Sequence, residues 1–451
     1  MISFFQKIYS GLREDVLFQR VIRNSSYLFS SNVVSAALAF AQGILATRLV
    51  GINGYGLIGV VTAWTSNVNN LLSFRMSEAV VKFYGDALQL ADKERAAAII
   101  KSIALTEATT SIITYLVWVA LTPLAAIYLG KDAQTAPLFT IYGVVILLNL
   151  VYETSRGILQ TSRRFDLLGR ITVIQSILTA SLIVVAFLYN GNVLDILVAY
   201  LAGKAFAGLI IAVLATRELA TTLAPRWWQA SFQQAKNWRE IVGFALNTNL
   251  NGTVNLIARD SAPTLLAFLR PPDVALGEVG YFKLALTLIN LVTLPIEPFI
   301  WPTYAEITRS IAGKKWRETK ILLRRISMIS TVWMGFAGGG LALLGWWLIP
   351  FLYKPDALPA YPAVLILLVG YSFASIFTWN RPLLLALGKP GYPLMIAAIV
   401  GAIELALAFM LVPRFGYLAQ SALLSGYFII AIGLITWRGL REMREQEMSD
   451  L

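Results

Sequence analysis

The 451-residue chain has no cysteine and no histidine. Disulfide frameworks, Cys/His zinc sites, cysteine nucleophiles and Ser-His-Asp triads are therefore excluded, and no metal is expected. A side chain that handles protons here is expected to be a carboxylate. Charge is also scarce: Asp, Glu, Lys and Arg make up 14% of the residues, against roughly 25% in soluble domains. There is no GxxxxGK[ST], HExxH or GxSxG stretch, so the common nucleotide, zinc-protease and serine-hydrolase signatures are missing. No cofactor and no enzyme activity are expected. Any transport must draw on an ion gradient, the membrane potential or the gradient of the cargo.

What is present is apolar sequence, 57% of the chain, in runs near the 20 residues that cross a bilayer core. The expected fold is all-α and polytopic, with twelve transmembrane helices. They fall near 27–47, 55–75, 100–122, 138–160, 171–190, 193–214, 241–268, 280–301, 328–350, 361–385, 393–412 and 417–437. Residues 1–26 read as a cytoplasmic amphipathic segment on the membrane surface. Residues 27–214 and 241–437 read as two six-helix bundles, 215–240 as a cytoplasmic interfacial linker and 438–451 as a cytoplasmic tail. In the linker, Trp227, Trp228 and Trp238 suit the headgroup level.

The net charge of +12 reads as orientation in the membrane, and no nucleic-acid partner is expected. Twenty-nine of the 37 Lys and Arg residues fall on the side that carries both termini if the N-terminus is cytoplasmic. Seven fall opposite: Arg48, Lys131, Arg259, Arg270, Lys283, Lys354 and Arg414. This bias puts both termini in the cytoplasm. The halves also resemble each other at an offset of about 225 residues. "RGILQTSRRFDLLGRITVI" matches "RPLLLALGKPGYPLMIAAI", which sets Arg156 opposite Arg381, and "GYGLIGVVTA" matches "GYFKLALTLI". A parallel repeat of this kind places substrate between the halves.

The seventh span carries a charged pair, Arg259 and Asp260, at the end of a ridge of Asn247, Asn251 and Asn255 spaced four apart. Such a ridge belongs on one helix face, turned toward the bundle or a water-filled cavity. Arg259 lies about 27 Å from Ile241 at 1.5 Å per residue. Three readings of the pair stand: mutual neutralisation, snorkelling to the outer surface, or an arginine that attracts an anionic substrate with Asp260 orienting it. Asn67 and Asn70 on the second span read as a second cavity wall or as interhelical bonds. Glu153 and Arg156, three apart, read as a local pair, as an inner gate or as a headgroup contact, and Arg381 is a further coupling or gate candidate. Glu297, between Pro295 and Pro298, is a candidate coupling carboxylate beside its helix-kink reading. Glu107, Lys204 and Glu404 are weaker candidates.

Three segments carry a family resemblance: "LATRLVGINGYGLIGVVTA", "ARDSAPTLLAFLRPPDVALGEVGYFKLALTL" and "FIWPTYAEITRS". The chain resembles Wzx-type polysaccharide flippases of the multidrug/oligosaccharidyl-lipid/polysaccharide exporter superfamily, with Asp260 and Gly280-Tyr281 in the places where that family shows an Asp and a Gly-Tyr. The resemblance implies an undecaprenyl-pyrophosphate-linked oligosaccharide as cargo, moved to the outer leaflet for O-antigen, capsule or exopolysaccharide assembly. It also implies a bacterial or archaeal plasma membrane, contact with membrane lipids, and a polysaccharide polymerase and glycosyltransferases as partners. Three alternatives are a peptidoglycan-precursor flippase, a drug/cation antiporter of the same superfamily, and a membrane glycosyltransferase or polymerase. The first usually has two further spans, the second a carboxylate-rich cavity, and the third a long outer loop.

Overall fold

The computed structural model describes residues 16–73, 76–223, 226–235 and 238–450. The expected amphipathic segment 1–26 lies largely outside the described residues. Among the described residues all regular structure is helical. The main helices are α1 (Val16–Leu72), α2 (Lys93–Tyr128), α3 (Ala136–Gly143), α4 (Tyr152–Thr161), α5 (Phe165–Leu188), α6 (Val193–Thr222), α7 (Trp238–Asn255) and α8 (Ala262–Leu269). They continue with α9 (Pro272–Thr293), α10 (Ile300–Ala312), α11 (Trp316–Trp333), α12 (Gly339–Leu352), α13 (Ala360–Ile376), α14 (Asn380–Ala386) and α15 (Gly391–Ser449).

Nine helical runs among the described residues are long and apolar enough to cross a membrane. Two of them turn back at a glycine: α1 at Gly51 (φ 70°, ψ 179°) and α15 at Gly416 (φ 61°, ψ −142°). Both conformations are open to glycine and costly for other residues. Leu116, Val332, Leu343 and Met410 are exposed on the outside. So much exposed apolar surface would aggregate in water and suits a bilayer. The chain is a multi-pass membrane protein.

Several expected spans are broken. The seventh contains a π-helical stretch, Leu256–Asp260, between α7 and α8. Pro263 starts α8 and has no N–H, so the Arg259 carbonyl has no donor four residues on, and the helix widens there. The eighth passes through a 3-10 stretch, Leu294–Phe299, where Pro295 and Pro298 remove two donors. Helix α6 runs on to Thr222, so the expected linker begins later than residue 215.

The buried side chains form three clusters. One is shared by residues from α1 through α15, including Ile58, Phe139, Phe282 and Val364. A second gathers residues 76–223 with the start of α7, around Ile100, Ile158 and Ile211. The third, around Ile307, Leu323, Leu383 and Met443, uses the last third of the chain. The bundle is thus one body at one end and two at the other.

Polar clips close the joined end. The Arg48 guanidinium donates to the carbonyls of Leu352 and Phe351, both at 2.7 Å. Lys354 returns a bond to the Arg48 carbonyl at 2.7 Å. Glu278 accepts from Arg270 at 2.7 Å and from the Tyr417 N–H at 2.9 Å, against the bare face of Gly416. At the split end, Lys314 donates to Asp450 at 2.6 Å and holds its carboxyl below the ordinary carboxylate range.

The tightest joint is between α1 and α9. The Leu276 carbonyl occupies the place a Gly56 side chain would take, and the Ile52 carbonyl does the same to Gly280. Backbone has no rotamer to yield, so Gly56→Ala forces the helices apart. We expect it to destabilise the detergent-solubilised protein by ~1–3 kcal/mol, read as a lower melting temperature. Gly426→Ala, which meets open space, is the control. An unchanged melting temperature for Gly56→Ala would show that the seam yields.

Candidate functional site

Below the joined end lies a cavity of about 850 Å³. Its wall draws on α1 (Phe40, Tyr55), α6 (Tyr200), the π-helical stretch (Arg259, Asp260), α9 (Lys283, Thr287, Asn290), α13 (Tyr371) and α15 (Phe428). Glu297, on the 3-10 stretch, also lines it. The wall mixes aromatic rings, hydroxyls and amides with two acids and two bases. The irregular backbone at 256–260 and 294–299 falls here, as expected where a cavity rather than lipid surrounds it.

Arg259 and Asp260 both reach the cavity. The Arg259 Nε donates to Asp260 Oδ1 at 2.8 Å, and the side chains remain 51% and 41% exposed. The pair is neutral as a unit and wet. The side chains of Asn247, Asn251 and Asn255, the ridge expected to lead to it, lie outside the described residues. Lys283, inside the expected eighth span and counted from sequence with the bases of the outer side, lies within α9 on the cavity wall, with its Nζ 4.4 Å from the centre of the Tyr55 ring.

The other candidates lie elsewhere. Asn67 is buried and donates to Thr264 at 3.0 Å, tying α1 to α8. Asn70, Glu107, Glu153 and Lys204 line a second cavity of about 270 Å³ among α1, α2, α4, α5 and α6. The expected Glu153–Arg156 pair is not formed. Glu153 accepts from Ser77 at 2.5 Å and Arg156 is exposed. Arg381, in the first turn of α14, is also exposed. Glu404 is buried on α15, with one carboxylate oxygen lacking a partner. Among the described residues no group of three or more Asp or Glu stands ready to hold a metal ion.

Glu107 has a clear structural role. Its two oxygens accept the backbone N–H groups of Glu153 and Thr154, each at 2.8 Å, and the Thr154 hydroxyl. These are free donors of the first turn of α4, so a carboxylate from α2 caps that helix. We expect Glu107→Ala to cost about 1–3 kcal/mol by stranding those donors. Glu107→Gln should keep most of the stability and function. Loss of transport by a stably folded Gln variant would instead mark Glu107 as a proton carrier.

The profile of the family described as "Polysaccharide biosynthesis protein" matches residues 21–306. The chain belongs to this family. The inner membrane protein YghQ of Escherichia coli (strain K12) is 25% identical over 302 residues, 65% of this chain and 82% of that one. Among solved structures, a lipid II flippase, MurJ, in an inward closed conformation superposes with a TM-score of 0.69. It is 15% identical, over 93% of this chain and 90% of that one. An inward-facing multidrug resistance transporter of the MATE family gives 0.67, at 13% identity over 92% and 96%. A MOP-superfamily transporter from Pyrococcus furiosus gives 0.64, at 14% identity over 94% and 95%. These likenesses are of fold. Family and fold together place this polysaccharide biosynthesis protein in the MOP superfamily of flippases and exporters.

Proposed function

We propose that the protein is a flippase that carries an undecaprenyl-pyrophosphate-linked glycan from the inner to the outer leaflet of a bacterial or archaeal inner membrane, by alternating access. The observation that carries this reading is the central cavity. It is walled by residues from both ends of the chain, and its lining suits the parts of such a cargo. Amides, hydroxyls and aromatic rings suit a glycan, a basic side chain on the wall suits a pyrophosphate, and the lipid tail stays in the bilayer between the halves. Family membership and an inner-membrane relative at 25% identity point the same way.

In this reading the chain has twelve spans in two halves. The nine long runs become eleven when α1 and α15 are divided at Gly51 and Gly416, and the α7–α8 segment is the twelfth. The helix order supports a repeat at the offset seen in the sequence. Helix α2 answers α11–α12, α3–α4 answer α13–α14, and the starts of α5 and α15 correspond. The joined end carries Arg48, Lys131, Arg270 and Lys354, the sparse bases of the outer face. In this orientation, which the charge bias favours, the described state is closed outward and both termini are in the cytoplasm. An alkaline phosphatase fusion after Leu451 should be inactive; activity would overturn this orientation.

The functional test is export of surface polysaccharide in a strain lacking its own flippase, with membrane levels followed by blot. Restored export is expected, and failure at normal levels with cognate glycan would sink the reading. Arg259 and Asp260 neutralise each other on the cavity wall, so removing either one strands the other charge. Because the pair is half exposed, we expect Arg259→Ala and Asp260→Asn each to lower export by about two- to fivefold, and the double variant Arg259→Ala/Asp260→Asn to recover part of that loss. A double variant no better than the worse single one would mean that each residue acts separately on the cargo.

A further inference from the structure

Four charged side chains line the central cavity among the described residues: Arg259, Asp260, Lys283 and Glu297. The first two are bonded to each other. Lys283 has no carboxylate within ion-pair distance among the described residues. It is also 14 positions from Glu297 along the chain, so the two stand roughly 20 Å apart along the helix axis. The uncompensated positive charge of the cavity is therefore Lys283, at its closed end.

Its position is built rather than incidental. Gly59 of α1 leaves a slot for the lysine stem: a side-chain carbon there would lie 2.8 Å from Lys283 Cδ. The stem lies in that slot and the ammonium stands over Tyr55, 4.4 Å from the ring centre. The Tyr55 hydroxyl is engaged with Thr287 at 3.5 Å, so the ring is held in place. An aromatic face attracts a cation but accepts none of its three N–H bonds in the usual way. A fixed ammonium with donors to spare, at the closed end of a polar cavity, suits a phosphate-class oxyanion.

We propose that Lys283, seated on Gly59 and Tyr55, is the residue that holds the anionic group of the cargo, while the Arg259–Asp260 pair lines the wall as a neutral unit. This rests on the flippase reading and deepens it by assigning the anion to one residue. It explains why the joined end needs Gly56, Gly59 and Gly280 together. The seam that brings α1 onto α9 also presents the lysine. It further implies that opening the outer end, by parting α1 from α9, takes Lys283 off Tyr55 and loosens the anion where it must leave.

The absence of native cysteine permits a direct test. In purified Lys283→Cys protein, 2-bromoethylamine converts the thiol to S-aminoethylcysteine, which restores an ammonium at the length of lysine. The probes are inorganic pyrophosphate and citronellyl pyrophosphate, titrated by calorimetry against the detergent-solubilised full chain. Lys283→Cys should lose about tenfold or more in affinity, as for a charged hydrogen-bonding partner. Aminoethylation should restore it, and 2-sulfonatoethyl methanethiosulfonate should not. The double variant Arg259→Gln/Asp260→Asn, which removes the bonded pair without leaving a stranded charge, should bind within about threefold of wild type. Rescue acts on protein already folded, so misfolding cannot imitate it.

Unchanged affinity in Lys283→Cys, or loss in the Arg259→Gln/Asp260→Asn double variant with Lys283→Cys binding as wild type, would overturn the assignment. Tighter binding of the citronellyl form assigns the anion to a lipid headgroup and equal binding to a free phosphate, and both keep it on Lys283. Loss of Lys283-dependent pyrophosphate binding is read without any glycan. Failure of polysaccharide export with this binding intact would therefore count against the cargo and not against Lys283.

Discussion

The carbonyl oxygen of Leu276 lies where Gly56 would carry a side chain, and much of the molecule follows from that contact. Backbone against backbone brings α1 and α9 closer than any larger residue allows. One shared core forms at that end, and the clips from Arg48 and Lys354 can reach across. At the other end no such glycine seam is seen among the described residues. There the buried residues divide into two clusters, and a polar cavity opens below the joined end. In lipid there is little hydrophobic drive between helices, so close packing of small residues carries more of the association than it would in water. A seam of glycines is thus the economical way to join two bundles at one end only.

Much of this was legible in the sequence. Apolar runs of membrane length need helices, and a scarcity of charge makes each intramembrane charge informative. That logic marked Arg259 and Asp260, and both line the cavity. The break beside them was also written in the chain, since Pro263 withholds the donor that the Arg259 carbonyl would use. The Gly-Tyr segments 54–55 and 280–281 were visible as matching motifs, but their purpose was not. A glycine in a pattern does not say which carbonyl will rest on it.

Three details of the structure lie beyond what spacing can carry. Lys283 falls near the start of an expected span, and a charge count gives only its side of the membrane; the slot over Gly59 shows that it turns inward. Glu153 and Arg156 have the spacing of a helical pair, but the hydroxyl of Ser77 takes the carboxylate from another helix. Glu107, a weaker candidate from the sequence, also has a structural task. Its partners are backbone donors 46 and 47 positions away, contacts that no local window contains.

The charges in the bundle therefore fall into distinct classes by what answers them. Glu107 is answered by a helix terminus and Glu278 by Arg270 and the turn at Gly416. Arg259 is answered by Asp260. Each of these is satisfied within the protein, and each fixes geometry. A cargo can compete for such groups only by breaking a bond already made. Lys283 differs: its stem is fixed, its ring contact leaves its hydrogen-bond donors available, and among the described residues no carboxylate stands within ion-pair distance of it. A transporter must bind its cargo in one state and release it in another. A group whose support comes from the seam between two moving helices is better placed for that task than one locked to its neighbour in sequence.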